Sequence, residues 1–194
     1  GMPFAEACKT SLERQASEGC KYAQYFLGWL FSLRLIEDRV LNVESYNFFK
    51  LSADQGFTPA ICMLGLCYLQ GRGVPEDFNT GIKLLHQTAE AGYSQSSFIL
   101  GGYYEGKAVN TEYFDGEALN SEGNLLSDQY YQLAIHYHRL AASQSHTHAA
   151  LNLANCFMYG IGVEQNESIA TEFVILAATS GLADAQNRLG DMYK

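Results

Sequence analysis

The stretch Ala60-Ile-Cys-Met-Leu64-Gly65-Leu-Cys-Tyr68-Leu-Gln-Gly71-Arg-Gly73-Val74 decides the fold of this chain, because its order of small, large and turn residues returns further along. From Leu64-Gly65 the landmarks run Tyr68, Gly71, Gly73-Val74, Asp77, Gly81, Ala89 and Gly92, and Ser96 opens the next copy. From Leu153-Ala154 they run, at the same offsets, Phe157, Gly160, Gly162-Val163, Asn166, Ala170, Ala178, Gly181 and Ala185. Ala60 to Ser96 and Ala149 to Ala185 are both steps of 36 residues. A unit of that length recurring in register marks a repeat array.

Other copies follow the same template more loosely. Ala23 to Leu27-Gly28 leads, one residue longer, to Ser45, Ala53, Gly56 and Ala60. Ser96 to Leu100-Gly101 leads to Tyr104, Gly106 and Val109, after which about 17 extra residues intervene before Ala134 and Ala142 restore the pattern. Cys8, Ala16 and Gly19 repeat the spacing of Gly81, Ala89 and Gly92, and Ala185 to Leu189-Gly190 begins another unit. The expectation is four full helix pairs flanked by half a repeat at each end, about ten helices in all.

Ala60, Leu64, Gly65 and Tyr68 lie on one face of a helix with 3.6 residues per turn. Small residues there let a neighbouring backbone approach, while Leu and Tyr fill the remaining space. Gly71-Arg-Gly73 and Gly160-Ile-Gly162 end the helix, since glycine reaches the left-handed conformation that a C-cap needs. Asp77 and Asn166 suit the N-cap of the second helix in each pair. That helix has its own stripe, in which Gly81, Leu84, Leu85, Thr88 and Ala89 match Ala170, Phe173, Val174, Ala177 and Ala178.

The pattern Leu-Gly-x-x-Tyr-x-x-Gly-x-Gly-Val-x-x-Asp, together with spaced alanines and Ala-x-x-Gly, resembles the Sel-one-like repeat family, a relative of the tetratricopeptide repeat. The second and fourth copies match closely. The first carries Leu33 to Val40 in place of the Gly-x-Gly-Val turn, and the third is split by its insertion. The resemblance implies an all-α, right-handed α/α solenoid of antiparallel helix pairs spanning residues 1–194 as a single domain, with an inserted acidic loop at about 110–127. It also implies a scaffold whose partners differ from protein to protein. Secreted relatives are implied to bridge each helix pair with a disulfide; Cys8, Cys20, Cys62, Cys67 and Cys156 lack that framework, and Cys62 and Cys67 diverge on one helix.

A net charge of −9 with no basic stretch sets nucleic acid and anionic membrane aside as partners. The longest apolar run, Tyr25 to Leu33, falls far short of the ~20 residues a membrane span requires. Gly1 ahead of Met2 reads as an added residue, no leader pattern comes after it, and a cytoplasmic location is expected.

In tetratricopeptide-like arrays the first helix of each pair lines the concave surface, so the informative residues are those on that helix which the repeat pattern does not use. In the second copy these are Cys62, Leu66 and Leu69. They correspond to Tyr25, Trp29 and Ser32 with Tyr22 and Leu33 beside them, to Phe98, Gly102 and Glu105, to Leu151, Asn155 and Met158 with Tyr159, and to Asn187, Asp191 and Lys194. The face is aromatic and aliphatic early in the chain and polar late. It reads either as a groove for a peptide or partner helix anchored by Tyr25, Trp29 and Phe98, or as core.

Two side-chain groups invite metal readings. Asp115-Gly116-Glu117 with Glu122 resembles part of a calcium loop, but Thr111 and Tyr113 would stand where carboxylates are needed, so a solvated acidic loop is the plainer reading. His136 and His138 diverge by about 200° on a helix and cannot share an ion. His138 with His146 across the turn is the remaining zinc pair, with His138 aligned to Leu85 and Val174 and so partly packed, and His136 exposed.

No Ser-x-x-Lys, His-Glu-x-x-His, Gly-x-Ser-x-Gly or phosphate loop is present. Cys156 near His146 and His148 reads as core rather than a nucleophile. Without catalytic, cofactor or metal signatures, the chain is expected to be a non-catalytic adaptor holding a protein or peptide. A self-associating subunit, a homodimer included, is the alternative, and a hydrolase the third reading.

Overall fold

A computed structural model describes residues 4–33, 39–111 and 125–192. Most of the insertion, residues 112–124, lies outside them, as do residues 34–38 of the first turn and the terminal 193–194. Ten helices and no strand occur among the described residues. They fall into two compact units. Residues 1–91 hold α1 (Phe4–Ser17), α2 (Lys21–Leu33), α3 (Arg39–Ala53), α4 (Thr58–Gln70) and α5 (Phe78–Glu90). Residues 92–194 hold α6 (Ser94–Asn110), α7 (Leu126–Ser143), α8 (Thr147–Tyr159), α9 (Glu167–Thr179) and α10 (Ala183–Met192).

The hairpins are α2–α3, α4–α5, α6–α7 and α8–α9, each a first helix packed on its second. The Leu-Gly pair explains how closely they pack. A Cβ on Gly28 would stand 2.8 Å from the Phe49 ring, one on Gly65 3.2 Å from Leu85 Cγ, and one on Gly101 2.5 Å from the His138 ring. Each second helix therefore drives one large side chain into a hole that exists only because the facing residue lacks a Cβ. In α8 the hole residue is Ala154 and the aligned knob is the smaller Val174, both fully buried.

The Gly-x-Gly turn divides its work between its two glycines. Gly71 (φ 62°) and Gly160 (φ 70°) close α4 and α8 in the left-handed conformation, donating to the Cys67 and Cys156 carbonyls. Gly73 and Gly162 are also left-handed, but they press on the preceding second helix. A Cβ on Gly73 would collide with the Asn42 carbonyl, and one on Gly162 would lie 2.5 Å from Tyr131 Cβ. Asp77 and Asn166 then cap α5 and α9, accepting from the Thr80 and Ile169 amides at 3.1 and 3.0 Å. At two junctions between repeats a glutamine holds the turn: Gln24 Nε2 donates to the Ala16 carbonyl and Gln186 Nε2 to the Ala178 carbonyl, each at 3.1 Å.

Candidate functional site

α2 carries a single charge, Lys21. Its buried side, Ala23, Gln24, Leu27 and Gly28, meets α1 and α3 through Ala16 and Phe49, and Ser45 Oγ donates to the Gly28 carbonyl at 2.7 Å. The opposite side is apolar and open. Tyr22 (55%), Phe26 (55%), Trp29 (43%), Leu30 (44%) and Leu33 (61%) are all substantially exposed. At 100° per residue these five fall within about 100° of arc, so they form one continuous stripe three turns long. Tyr22 is steadied at one end by the edge of Phe57, 5.1 Å between centroids, with Lys21 Nζ 5.5 Å over its ring.

Tyr22, Trp29 and Leu33 of the sequence-derived groove therefore share this surface, whereas the remaining members, Tyr159 apart, serve packing to different degrees. Tyr25 is half-buried, its ring 5.3 Å from Phe57 and 6.0 Å from Phe49, and burial first, then the neighbouring Cys62, raises its pKa. Cys62 is fully enclosed. Leu66, half-buried, lines a small cavity together with Ser32, Ser45 and Phe49 of the hairpin before it. Leu69 lies over Gly81, where a Cβ would meet its Cδ2 at 2.8 Å. In the second unit Phe98 is half-buried and stacks on His146 at 4.4 Å, and Leu151 packs on the same core. Met158 is half-buried, and Tyr159 stands 67% exposed. Phe26 and Leu30 were not singled out from the sequence; their signal was the run from Tyr25 to Leu33, broken only by Gly28 and Ser32, in which nearly every face is greasy and one must be surplus.

The histidines are engaged structurally. His146 caps α8 with its own ring: Nδ1 accepts from the Ala149 amide at 3.4 Å and Nε2 meets Gln95 Oε1 at 3.2 Å. Burial first, then His148 and His138, hold its pKa below the ordinary value. Both nitrogens of His146 are thus occupied, and it has no lone pair to share with His138 on zinc. His138 is 0% exposed, more completely buried than partial packing, with Nε2 3.4 Å from Asn152 Nδ2 and 3.7 Å from Glu105 Oε2 and Nδ1 without a hydrogen-bond partner. His136 is exposed.

Burial pushes the Cys67 thiol up to about 11, and burial with Glu105 does the same for Cys156, so both stay protonated and neither is an activated nucleophile. Among the described residues no group of three or more His, Cys, Asp or Glu is placed to hold a metal, and no helix is long and apolar enough to cross a membrane. The calcium-like segment 111–122 falls almost wholly outside the described residues.

The chain is similar to several known proteins. It is 25% identical over 187 residues to the DAP3-binding cell death enhancer 1 of Rattus norvegicus, covering 77% of this chain and 33% of that protein. It is 28% identical over 183 residues to a chitin synthase regulator of Saccharomyces cerevisiae, covering 78% and 26%. It is 35% identical over 98 residues to a sel1-like repeat-containing protein of Acanthamoeba polyphaga mimivirus, covering 50% and 17%. The chain thus spans a third or less of these relatives' length. A crystal structure of a Sel1 repeat protein from Oxalobacter formigenes superposes with a TM-score of 0.66 at 24% identity, covering 89% of this chain and 63% of that one, and so shares the fold. The Sel1 repeat profile matches residues 21–57, 58–93, 112–146, 147–182 and 183–194. With the α2–α3, α4–α5 and α8–α9 hairpins each falling within one of those matches, the chain belongs to the Sel1 repeat family.

Proposed function

We propose that this chain is a non-catalytic interaction module whose partner docks on the open face of α2. The observation that carries this reading is the stripe itself: five large apolar side chains, Trp29 among them, left in solvent on a helix with one charge. Isolated exposed hydrophobes are ordinary, but a contiguous patch containing Trp and Tyr has the composition of an interaction hot spot. Membership of a repeat family whose relatives include a binding protein and an enzyme regulator supports the same reading. So do the protonated, buried thiols of Cys67 and Cys156, neither of which is activated for acyl transfer.

The test replaces Trp29 with Ala. Trp29 is 43% exposed, so the variant should keep the wild-type circular dichroism spectrum while losing the protein captured by wild type from native lysate. Retention of the same partner by a folded variant refutes the site. Loss of helical signal instead means that Trp29 holds α2 in place.

A further inference from the structure

We propose that Tyr103, Tyr104 and Tyr130 form a cradle for a quaternary ammonium group, and that the ammonium of Lys107 occupies it as a tethered stopper. The site lies in the second unit and shares no residue with the α2 stripe. Its parts depart from the repeat template. Tyr104 and Tyr137 align with Phe157 and Phe173, and the two pairs stack alike, with centroids 5.7 and 5.9 Å apart and planes at 9° and 13°. That pair is repeat packing. Tyr130 and Lys107 are not: Tyr130 stands where Asp77 and Asn166 cap α5 and α9, and Lys107 where Gly71 and Gly160 close α4 and α8. Those positions fall inside longer helices here, since α6 and α7 run to 17 and 18 residues against 13 in α4, α5, α8 and α9. Tyr103 likewise replaces the buried Cys67 and Cys156. This hairpin thus carries side chains that the others do without.

Lys107 Nζ lies 5.6 Å from the centroid of Tyr103 and 5.7 Å from that of Tyr130, within the ~6 Å over which a ring face attracts a cation. Tyr104 adjoins both rings, nearly parallel to Tyr130 at 6.3 Å and edge-on to Tyr103 at 5.2 Å. All three rings are half-buried while Lys107 is exposed, so the cradle has a packed back and an open front. Lys9, Arg14 and Lys50 each meet a carboxylate four residues on. Lys107 has Thr111 at that place, and among the described residues its ammonium pairs with no acid. Burial first, then Tyr137 and Tyr103, raises the Tyr104 pKa, so this ring is a neutral phenol and the attraction comes from ring quadrupoles.

Such a site ranks cations by the water they must shed. A primary ammonium like that of Lys107 is compact and strongly hydrated. Methyl groups spread the charge, weaken its hydration and add apolar surface that the rings can cover. A quaternary ammonium, the head shared by trimethylated lysine side chains and choline-like small molecules, therefore displaces Lys107, whose flexible stem swings clear. The net charge of −9 favours the approach of any cation.

The test titrates the full chain with tetramethylammonium chloride at constant ionic strength, following the ring resonances of Tyr103 and Tyr130 by NMR, with tert-butanol as the neutral probe of similar shape. Both rings should shift saturably with tetramethylammonium and not with tert-butanol. Lys107→Ala, which removes the stopper, should tighten binding roughly two- to fivefold. In that background Tyr103→Leu should weaken binding by a similar factor, while Tyr103→Phe, which keeps the ring, should bind as before. If Tyr103→Leu disturbs the helical spectrum, Tyr130→Leu serves in its place. N-acetyl-trimethyllysine methylamide and choline then separate the two sources: tighter binding of the first identifies a protein side chain, and of the second a small molecule. Absence of a saturable shift in Lys107→Ala, an equal shift with tert-butanol, or unchanged binding by a folded ring-to-leucine variant overturns the inference. Each of these outcomes leaves the docking reading of α2 standing.

Discussion

Replacing Gly71 and Gly73 with alanine, one at a time, separates two reasons for a turn glycine that sequence alone cannot tell apart. Both residues are left-handed, at φ 62° and 72°. At Gly71 the nearest atom to a new Cβ is Glu76 Cβ at 3.6 Å, ordinary contact, so Gly71→Ala pays only for backbone conformation. That cost is roughly 1–2 kcal/mol, offset in part by roughly 0.4–1 kcal/mol of lost unfolded-state freedom, leaving about 1 kcal/mol. At Gly73 the same conformational cost is joined by collision with the Asn42 carbonyl and with Tyr46 Cβ at 2.8 Å, where the obstacle is backbone and cannot rotate aside. Overpacking of that kind adds about 1–3 kcal/mol, so Gly73→Ala should cost about 3 kcal/mol. In urea, with a slope of about 2 kcal/mol/M, the two midpoints should differ by about 1 M. The fourth repeat supplies a replicate: at Gly160 the nearest atom is at 3.5 Å, at Gly162 Tyr131 Cβ is at 2.5 Å, and the same order should hold. Equal losses within either pair would refute the claim that the second glycine seats one repeat on another.

Three further outcomes are expected. His146 has a depressed folded pKa, so the unfolded chain takes up the proton first; stability should fall as pH drops below about 6.5 towards the lower folded value. His146→Asn, which keeps a cap and cannot titrate, should flatten that part of a melting-temperature profile. His138→Leu should leave the melting temperature unchanged or raise it, since leucine is the knob at Leu85 and removes a buried nitrogen lacking a partner, whereas His138→Ala should cost about 3 kcal/mol by opening a cavity. Cys67 and Cys156, protonated up to about pH 11, should resist a thiol reagent at pH 8 in the native protein and react promptly in urea; fast native labelling at either would show that the hairpins open locally.

The repeat, its caps and its turn glycines were legible because each depends on a residue type at a fixed offset: Asp77 and Asn166 do cap, and Gly71 and Gly160 do close their helices. The candidate surface was only half legible. Offsets fix which side of a helix a residue occupies, but not how many neighbours that side receives. Leu69 reads as surplus on a helical wheel and yet covers Gly81, a glycine twelve residues later whose missing side chain leaves it room. Tyr25 and Phe98 each meet the ring that starts the next first helix, Phe57 and His146 respectively, a pairing across a repeat boundary that no single-helix pattern displays. Phe26 and Leu30 escaped for the converse reason: their counterparts Met63 and Cys67 line a cavity with the hairpin before them, and only the structure shows that Phe26 and Leu30 are exposed among the described residues.

The fit between Gly28 and Phe49, Gly65 and Leu85, and Gly101 and His138 bears on how such a chain can change over time. Inside a hairpin, close contact is settled by two positions that answer each other in size, and the fourth repeat has drifted to Ala154 and Val174 with both still enclosed. A whole hairpin can consequently be duplicated, moved or exchanged as a cassette, carrying its matched couple along. Trading one helix alone would pit a filled hollow against a bulky intruder, so recombination that survives selection should break between hairpins, never within them.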